Sequence, residues 1–424
     1  MTSREKSTYA KAGPKISSLS PFRAFGNRNY ALFFGGQSFS QIGTWMQRTA
    51  VSWVVYSTTH SAFMLGLTVF AQQFPSFLLS LVGGIVADRY RRSHILLLTQ
   101  LASLVQAVLL AILVLTGHYD IWQILTLSVL LGIINAFDVP ARQPLVHELV
   151  SDPTDLPNAL AFNSAMVNVA RLLGPALSGL VLKEFGAGIC FLINAASFVA
   201  VLASLLLLRL PAYVPPATKP NAAAQLAEGF AYLRVTPAIS TLLLLLGAIS
   251  LLVLPYNTLL PVFAQRVFQG DAATFGYVNA FIGLGAVGGT AFLATRQPGT
   301  NLKRILLVNT ILLGLALILF SCTGFLPLAL ALAVLAGFGT MSQTTIAFTL
   351  VQTAAAAAMR GRVMSYVALV YFGMLPLGSL LIGAISQHIG VQRAMLLQGV
   401  VALVLAGAFS NFLSGGRISA WKRN

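Results

Sequence analysis

Long apolar runs, each close to 20 residues and each closed by a short polar or Gly/Pro-bearing stretch, set the rhythm of this chain. A helix that crosses a bilayer needs about 20 apolar residues. The runs are continuous rather than alternating, the pattern of helices and not of barrel strands. Their spacing predicts twelve spans, at 29–56, 62–87, 94–116, 121–140, 158–182, 187–209, 238–263, 273–295, 303–322, 325–347, 362–386 and 392–413. Between spans 6 and 7 the rhythm breaks. "LPAYVPPATKPNAAAQLAEGFAYLRVTP" (210–237) begins Pro-rich and ends as an amphipathic surface helix. The expected architecture is all-α and polytopic, with six-helix bundles over 28–209 and 238–413, a linker at 210–237, and tails at 1–27 and 414–424.

The halves carry matching glycines. Gly174 and Gly179 return as Gly378 and Gly383, 204 positions on, and Gly186 returns as Gly390 at the same offset. The pair Gly83-Gly84 returns as Gly288-Gly289 at 205. Two pseudo-symmetric bundles with internal repeats form a transporter architecture, with the substrate site between them near mid-membrane.

Span 1 is not uniformly apolar. In "GGQSFSQIGTWMQRTAVSW", Gln37, Ser40, Gln41, Thr44, Gln47 and Arg48 recur at steps of three and four, which is one helix face. Polar groups facing lipid are costly, so this face lines a cavity or a helix interface. Gln37, Gln41, Thr44 and Arg48 are the candidate lining residues, joined by Asn168, Arg171 and Asn257. Arg48 falls near the outer end of its span, where it can snorkel. Arg171 falls about 20 Å into span 5, near mid-depth. It is either tied to helix carbonyls near Pro175, with Asn168 on the same face, or it holds an anionic cargo.

Composition excludes a soluble domain: 57% of the residues are hydrophobic and 8% charged, with mean hydropathy +0.82. The net charge of +16 would fit a nucleic-acid binder, but its distribution fits topology better. Tails and even-numbered connections hold 21 Lys and Arg, while odd-numbered connections hold only Lys183, Arg266 and Arg393. This positive-inside pattern puts both termini in the cytosol. The first 27 residues lack an apolar core like a signal peptide's and read as a retained basic tail. Expected partners are the bilayer and a small molecule, with no nucleic acid and a monomeric chain.

One cluster of charge interrupts the oil. "GGIVADRYRR" places Gly84, Asp88, Arg89 and Arg92 after span 2. It resembles the loop signature of the major facilitator superfamily: Gly, three residues, then Asp-Arg with further basic residues. Arg91 stands where that pattern often has Gly. The stretches 135–179 and 360–383 resemble the superfamily's enterobactin-exporter and macrolide-efflux branch, also called transmembrane secretion effectors. The resemblance implies a bacterial inner-membrane location. It also implies that Asp88 faces the start of span 11, where Arg360 and Arg362 lie, in a latch formed when the cytosolic side is closed. Arg92 would then pair with Asp138, which could also reach Arg142 one turn on.

"ARLLGPALSG" (170–179) is similar to the antiporter motif of drug exporters, through Gly174, Pro175 and Gly179, with Ala170 and Ser178 in place of two glycines. Close packing against "FIGLGAVGG" of span 8 would seal the cytosolic side against ion leak.

No Gly-Lys pair exists for a nucleotide-binding loop, and no His-Glu-x-x-His or nucleophile elbow is present. Of ten acids, none falls at mid-membrane, so no proton carrier stands out. No cofactor, metal or enzymatic activity is expected. The reading is a secondary exporter of amphipathic small molecules, siderophore or drug-like, driven by the proton gradient. A lipid transporter of the same fold and a non-transporting scaffold or receptor are the alternatives.

Overall fold

A computed structural model describes residues 22–150, 152–209, 222–296 and 300–413. Most of both expected tails and the Pro-rich part of the linker lie outside these residues. The described chain is helical, with no strand. The first half comprises α1 (Arg28–Thr59), α2 (Ala62–Arg89), α3 (Arg92–Thr116), α4 (Ile121–Leu149), α5 (Leu156–Phe185) and α6 (Ala187–Leu206). A linker helix, α7 (Ala222–Val235), leads to the second half. There α8 (Pro237–Leu252) continues through a 3-10 turn at Leu254–Leu259 and a π turn at Phe263–Val267. Then follow α9 (Ala272–Ala294), α10 (Leu302–Cys322), α11 (Leu326–Ala354), α12 (Arg360–Ile389) and α13 (Val391–Ala408).

Eleven spans are long and apolar enough to cross a membrane. The twelfth is α1, whose 32 residues are long enough but whose polar face dilutes its hydropathy. Local chemistry starts the helices: Asn27 accepts from the amides of Asn29 and Tyr30, Ser61 from that of Met64, and Asp120 and Gln123 form a capping box. Helix α4 does not stop at Pro140. It runs through Pro140 and Pro144 to Leu149, because Ala141, Leu145 and Leu149 are buried in a cluster with Ala87, Ile95 and Leu96. Tertiary packing there outweighs the lost helix hydrogen bonds.

The duplication is visible as geometry. Gly179 meets Gly276 across α5 and α9, and Gly383 meets Gly66 across α12 and α2. A methyl on Gly179 would stand 2.8 Å from the Gly276 Cα, and one on Gly383 would stand 3.1 Å from the Gly66 Cα. Gly174 lies on the Ile42 carbonyl of α1, as Gly378 lies on the Leu251 carbonyl of α8. Gly186 and Gly390 both take positive φ, +78° and +87°, to turn the chain into α6 and α13.

These twin seams join the halves at the end of the bundle away from the basic loops. Lys183 pairs with Asp271 at 3.3 Å, Ser61 Oγ donates to Gln387 Oε1, and Arg266 donates to the His60 carbonyl. Moving toward the basic end, α2 and α12 stay in contact as far as Phe77 and Gly373. One turn further along the same stripe Leu81 is 52% exposed, and beyond it a methyl on Gly84 would meet nothing within 4 Å. On α5 the seam runs from Gly179 to Leu172, which faces Gly283, and then Ala165 and Ala161 on that stripe are exposed. The halves are sealed at one end and part at the basic end.

Candidate substrate cavity

The polar face of α1 divides in two. Gln47 is buried in a helix interface, donating to Gln106 Oε1 at 2.9 Å and accepting from Asn194 at 2.8 Å. Ser40 is buried too, and Gln37, 1% exposed, has neither side-chain polar atom paired. Gln37 is therefore packed between helices rather than set on a cavity wall. Gln41 and Thr44 are partly exposed and Arg48 is exposed.

Arg48 does not snorkel outward. A helical side chain leans toward its helix N-terminus, which for Arg48 means back toward the bundle centre. Its guanidinium carbon lies 5.2 Å from the centre of the Trp45 ring. Arg171 lies over the same indole, at 5.4 Å. Its Nη1 contacts Met341 Sδ of the opposite half at 3.5 Å, and its Nε is buried without a partner. Asn168 Oδ1 does not accept from Arg171, whose Nη1 goes instead to Met341, and the Asn168 amide nitrogen donates to the Ser164 carbonyl of its own helix. Asn257 is exposed on the 3-10 break of its span. A polar side chain at that depth fits a wetted cavity rather than lipid. Arg48 and Arg171 thus converge on Trp45 where the first half meets Met341 of the second.

The spacing of Trp45 could have marked it, one turn before Arg48, but its apolar ring sat outside the polar pattern. Gly174 seats it: a methyl there would stand 2.4 Å from Trp45 Cβ. Within the antiporter-like stretch, Gly174 thus packs on α1, while Gly179 approaches α9. Pro175 and Ala170 are buried. The approach to α9 lies toward the sealed end, so in this conformation it closes the end opposite to the one expected.

The charged cluster is arranged differently from expectation. Arg92 pairs with Glu148, not with Asp138. Arg92 opens α3 level with the last turn of α4, where Glu148 sits, whereas Asp138 lies about 15 Å back along that helix. Asp138, 1% exposed, pairs with Arg142 and accepts from Thr99 Oγ1 at 2.9 Å and Gln100 Nε2 at 2.8 Å. Counted from the helix start, its place in α11 is taken by Gln343, a buried amide with both polar atoms unpaired. The buried ion pair thus belongs to the first half alone. Asp88 and Arg89 are exposed at the end of α2. Arg360 donates to the Gln352 carbonyl at 3.1 Å, and Arg362 pairs with Glu228 of the linker helix at 2.6 Å. Among the described residues, no three His, Cys, Asp or Glu side chains gather as metal ligands would.

Residues 16–420 match the family model described as transmembrane secretion effector. The staphyloferrin A transporter of Staphylococcus aureus is 27% identical over 384 residues, covering 89% of this chain and 94% of that one. The multidrug efflux pump Tap of Mycolicibacterium fortuitum is 25% identical, over 84% and 90% of the two chains. The enterobactin exporter EntS of Escherichia coli O1:K1 is 28% identical over 74% of each. Among solved structures, a bacterial homologue of the lysosomal transporter Spinster, inward-facing and unoccupied, superposes with TM-score 0.71 at 16% identity. It covers 91% of this chain and 97% of its own.

Proposed function

The chain belongs to the transmembrane secretion effector family of the major facilitator superfamily, and from that premise we propose that it is a secondary exporter of amphipathic small molecules, siderophore or drug-like. The observation that supports this reading is the asymmetry of the interface between the halves: the Gly66/Gly383 and Gly179/Gly276 seams close it at one end, while at the basic end Leu81 is exposed and a methyl on Gly84 would meet nothing within 4 Å. A site reached from one side, between halves built on the same glycine contacts, is what alternating access requires. The named relatives transport siderophores or drugs.

The positive-inside distribution makes the basic end cytosolic, with both termini on that side of a bacterial inner membrane. The conformation is then inward-facing, ready to load. In the outward-facing state the stripe of α2 that holds Leu81, Gly84 and Asp88 meets the start of α12. Asp88 then sits at that helix N-terminus beside Arg360 and Arg362, where a carboxylate gains about 0.3–1 kcal/mol. Arg362 must leave Glu228 to join it.

Everted vesicles containing the protein test the proposal. Energised vesicles are expected to accumulate a fluorescent amphiphile, and a protonophore is expected to abolish the accumulation. Accumulation equal to that of vesicles without the protein would overturn it.

A further inference from the structure

Arg142 is paired with Asp138, whereas among the described residues neither Arg48 nor Arg171 has an acidic partner. A guanidinium keeps its proton, so both charges persist. The contacts they do make are weak: one indole shared by both, and for Arg171 a thioether sulfur. Each guanidinium carbon is within 5.4 Å of the Trp45 ring centre, so the two lie no more than twice that distance apart. Arg48 is exposed and Arg171 partly exposed in the present conformation. Closure of the basic end would bury both, and an unpaired guanidinium in a dry site is costly.

Resting on the exporter reading, we infer that Trp45, Arg48 and Arg171 form a two-point reader for a cargo bearing two anionic groups joined by a flat apolar segment. One acid binds each guanidinium, and the joining segment lies against the indole. Carboxylates suit the guanidinium fork, which offers two parallel N–H donors. A neutral cargo leaves both charges uncompensated on closure, and a monoanion leaves one. Gly174 belongs to the same device, because only a residue without a side chain lets α5 approach α1 this closely at Trp45.

Binding to the full-length protein in nanodiscs, measured calorimetrically, tests the inference with three probes of one shape: biphenyl-4,4′-dicarboxylate, its monomethyl ester and its dimethyl ester. The dianion is expected to bind about tenfold or more tighter than the monoester, since a hydrogen bond to a charged group contributes that much. Arg48→Gln and Arg171→Gln are each expected to bring the dianion to the level of the monoester and to leave the diester unchanged. Retained diester binding doubles as the check that a variant is folded. Arg48→Lys and Arg171→Lys are expected to recover part of the loss, and Trp45→Ala to weaken all three probes. Equal binding of the three probes, binding of none, or an arginine variant that loses diester and dianion alike overturns the inference. If the probes bind equally while energised vesicles still accumulate an amphiphile, the reader falls and the exporter stands. A dianion preference in a protein that moves nothing fells the exporter reading instead.

Discussion

Gly174 of α5 and Trp45 of α1 touch so closely that a methyl on the glycine would stand 2.4 Å from the tryptophan Cβ. The glycine therefore sets how closely α5 approaches the stretch of α1 that carries Trp45. Gly174→Ala is expected to displace the indole at a cost of about 1–3 kcal/mol, and with it the surface under Arg48 and Arg171. Transport should fall about tenfold with expression retained, read as initial rates in everted vesicles alongside the thermal midpoint. Full transport would show that the indole can shift without consequence.

Gly66 and Gly276 occupy equivalent places in the two seams, and a methyl on Gly66 would stand 2.4 Å from the Ser379 carbonyl. Either Gly66→Val or Gly276→Val should hold the sealed end apart, because backbone cannot yield as a flexible side chain can. Cysteines placed near His60 and Gln387 should become reactive to a membrane-impermeant maleimide in either variant. Labelling at the level of the unsubstituted seam would count against this role.

The Lys183–Asp271 contact gives the sealed end a pH dependence. Partial burial raises the Asp271 carboxyl, but the Thr274 amide and then Lys183 outweigh it and hold the group below its ordinary range. A depressed carboxylate contributes fully above its unfolded pKa and loses its contribution as pH falls through the folded one. The contact should thus persist through neutral pH and weaken only below the ordinary carboxylate range. Spin-label distances across this end should lengthen there, and Asp271→Asn should show the longer distance at every pH.

Asp138→Asn leaves the partly exposed Arg142 beside a neutral, buried amide. A charge-assisted bond of this kind contributes about 2 kcal/mol, so the thermal midpoint should drop by several degrees. Asp138→Asn combined with Arg142→Gln should recover most of the drop, since the uncompensated charge is then gone. Strictly additive losses would argue against the pairing.

Glu228→Gln frees Arg362 from the linker helix without removing the Tyr366 hydroxyl bond to the Leu226 carbonyl. The population closed at the basic end should rise, seen as reduced labelling of a cysteine at position 81. Asp88→Asn should move it the other way. An unchanged pattern in both would separate these charges from the conformational balance.

The sequence by itself determined an all-α, polytopic membrane fold, because continuous apolar runs have no other stable home, and its repeated glycines fall where helices approach one another. It also placed Arg171 and the polar face of α1 within the bilayer. Other features were decided only by tertiary structure. Arg92 went to Glu148 because register between α3 and α4 depends on how the two helices slide past each other, which one-dimensional spacing does not encode. Gln37 and Arg48 share one stripe, yet one is packed between helices and the other faces the cavity, since a face is divided by whichever neighbours approach it. Trp45 carried no signal in a pattern of polar residues. Its place came from a missing side chain on α5, more than a hundred residues away, and from two cations that converge on its ring only once the bundle has formed.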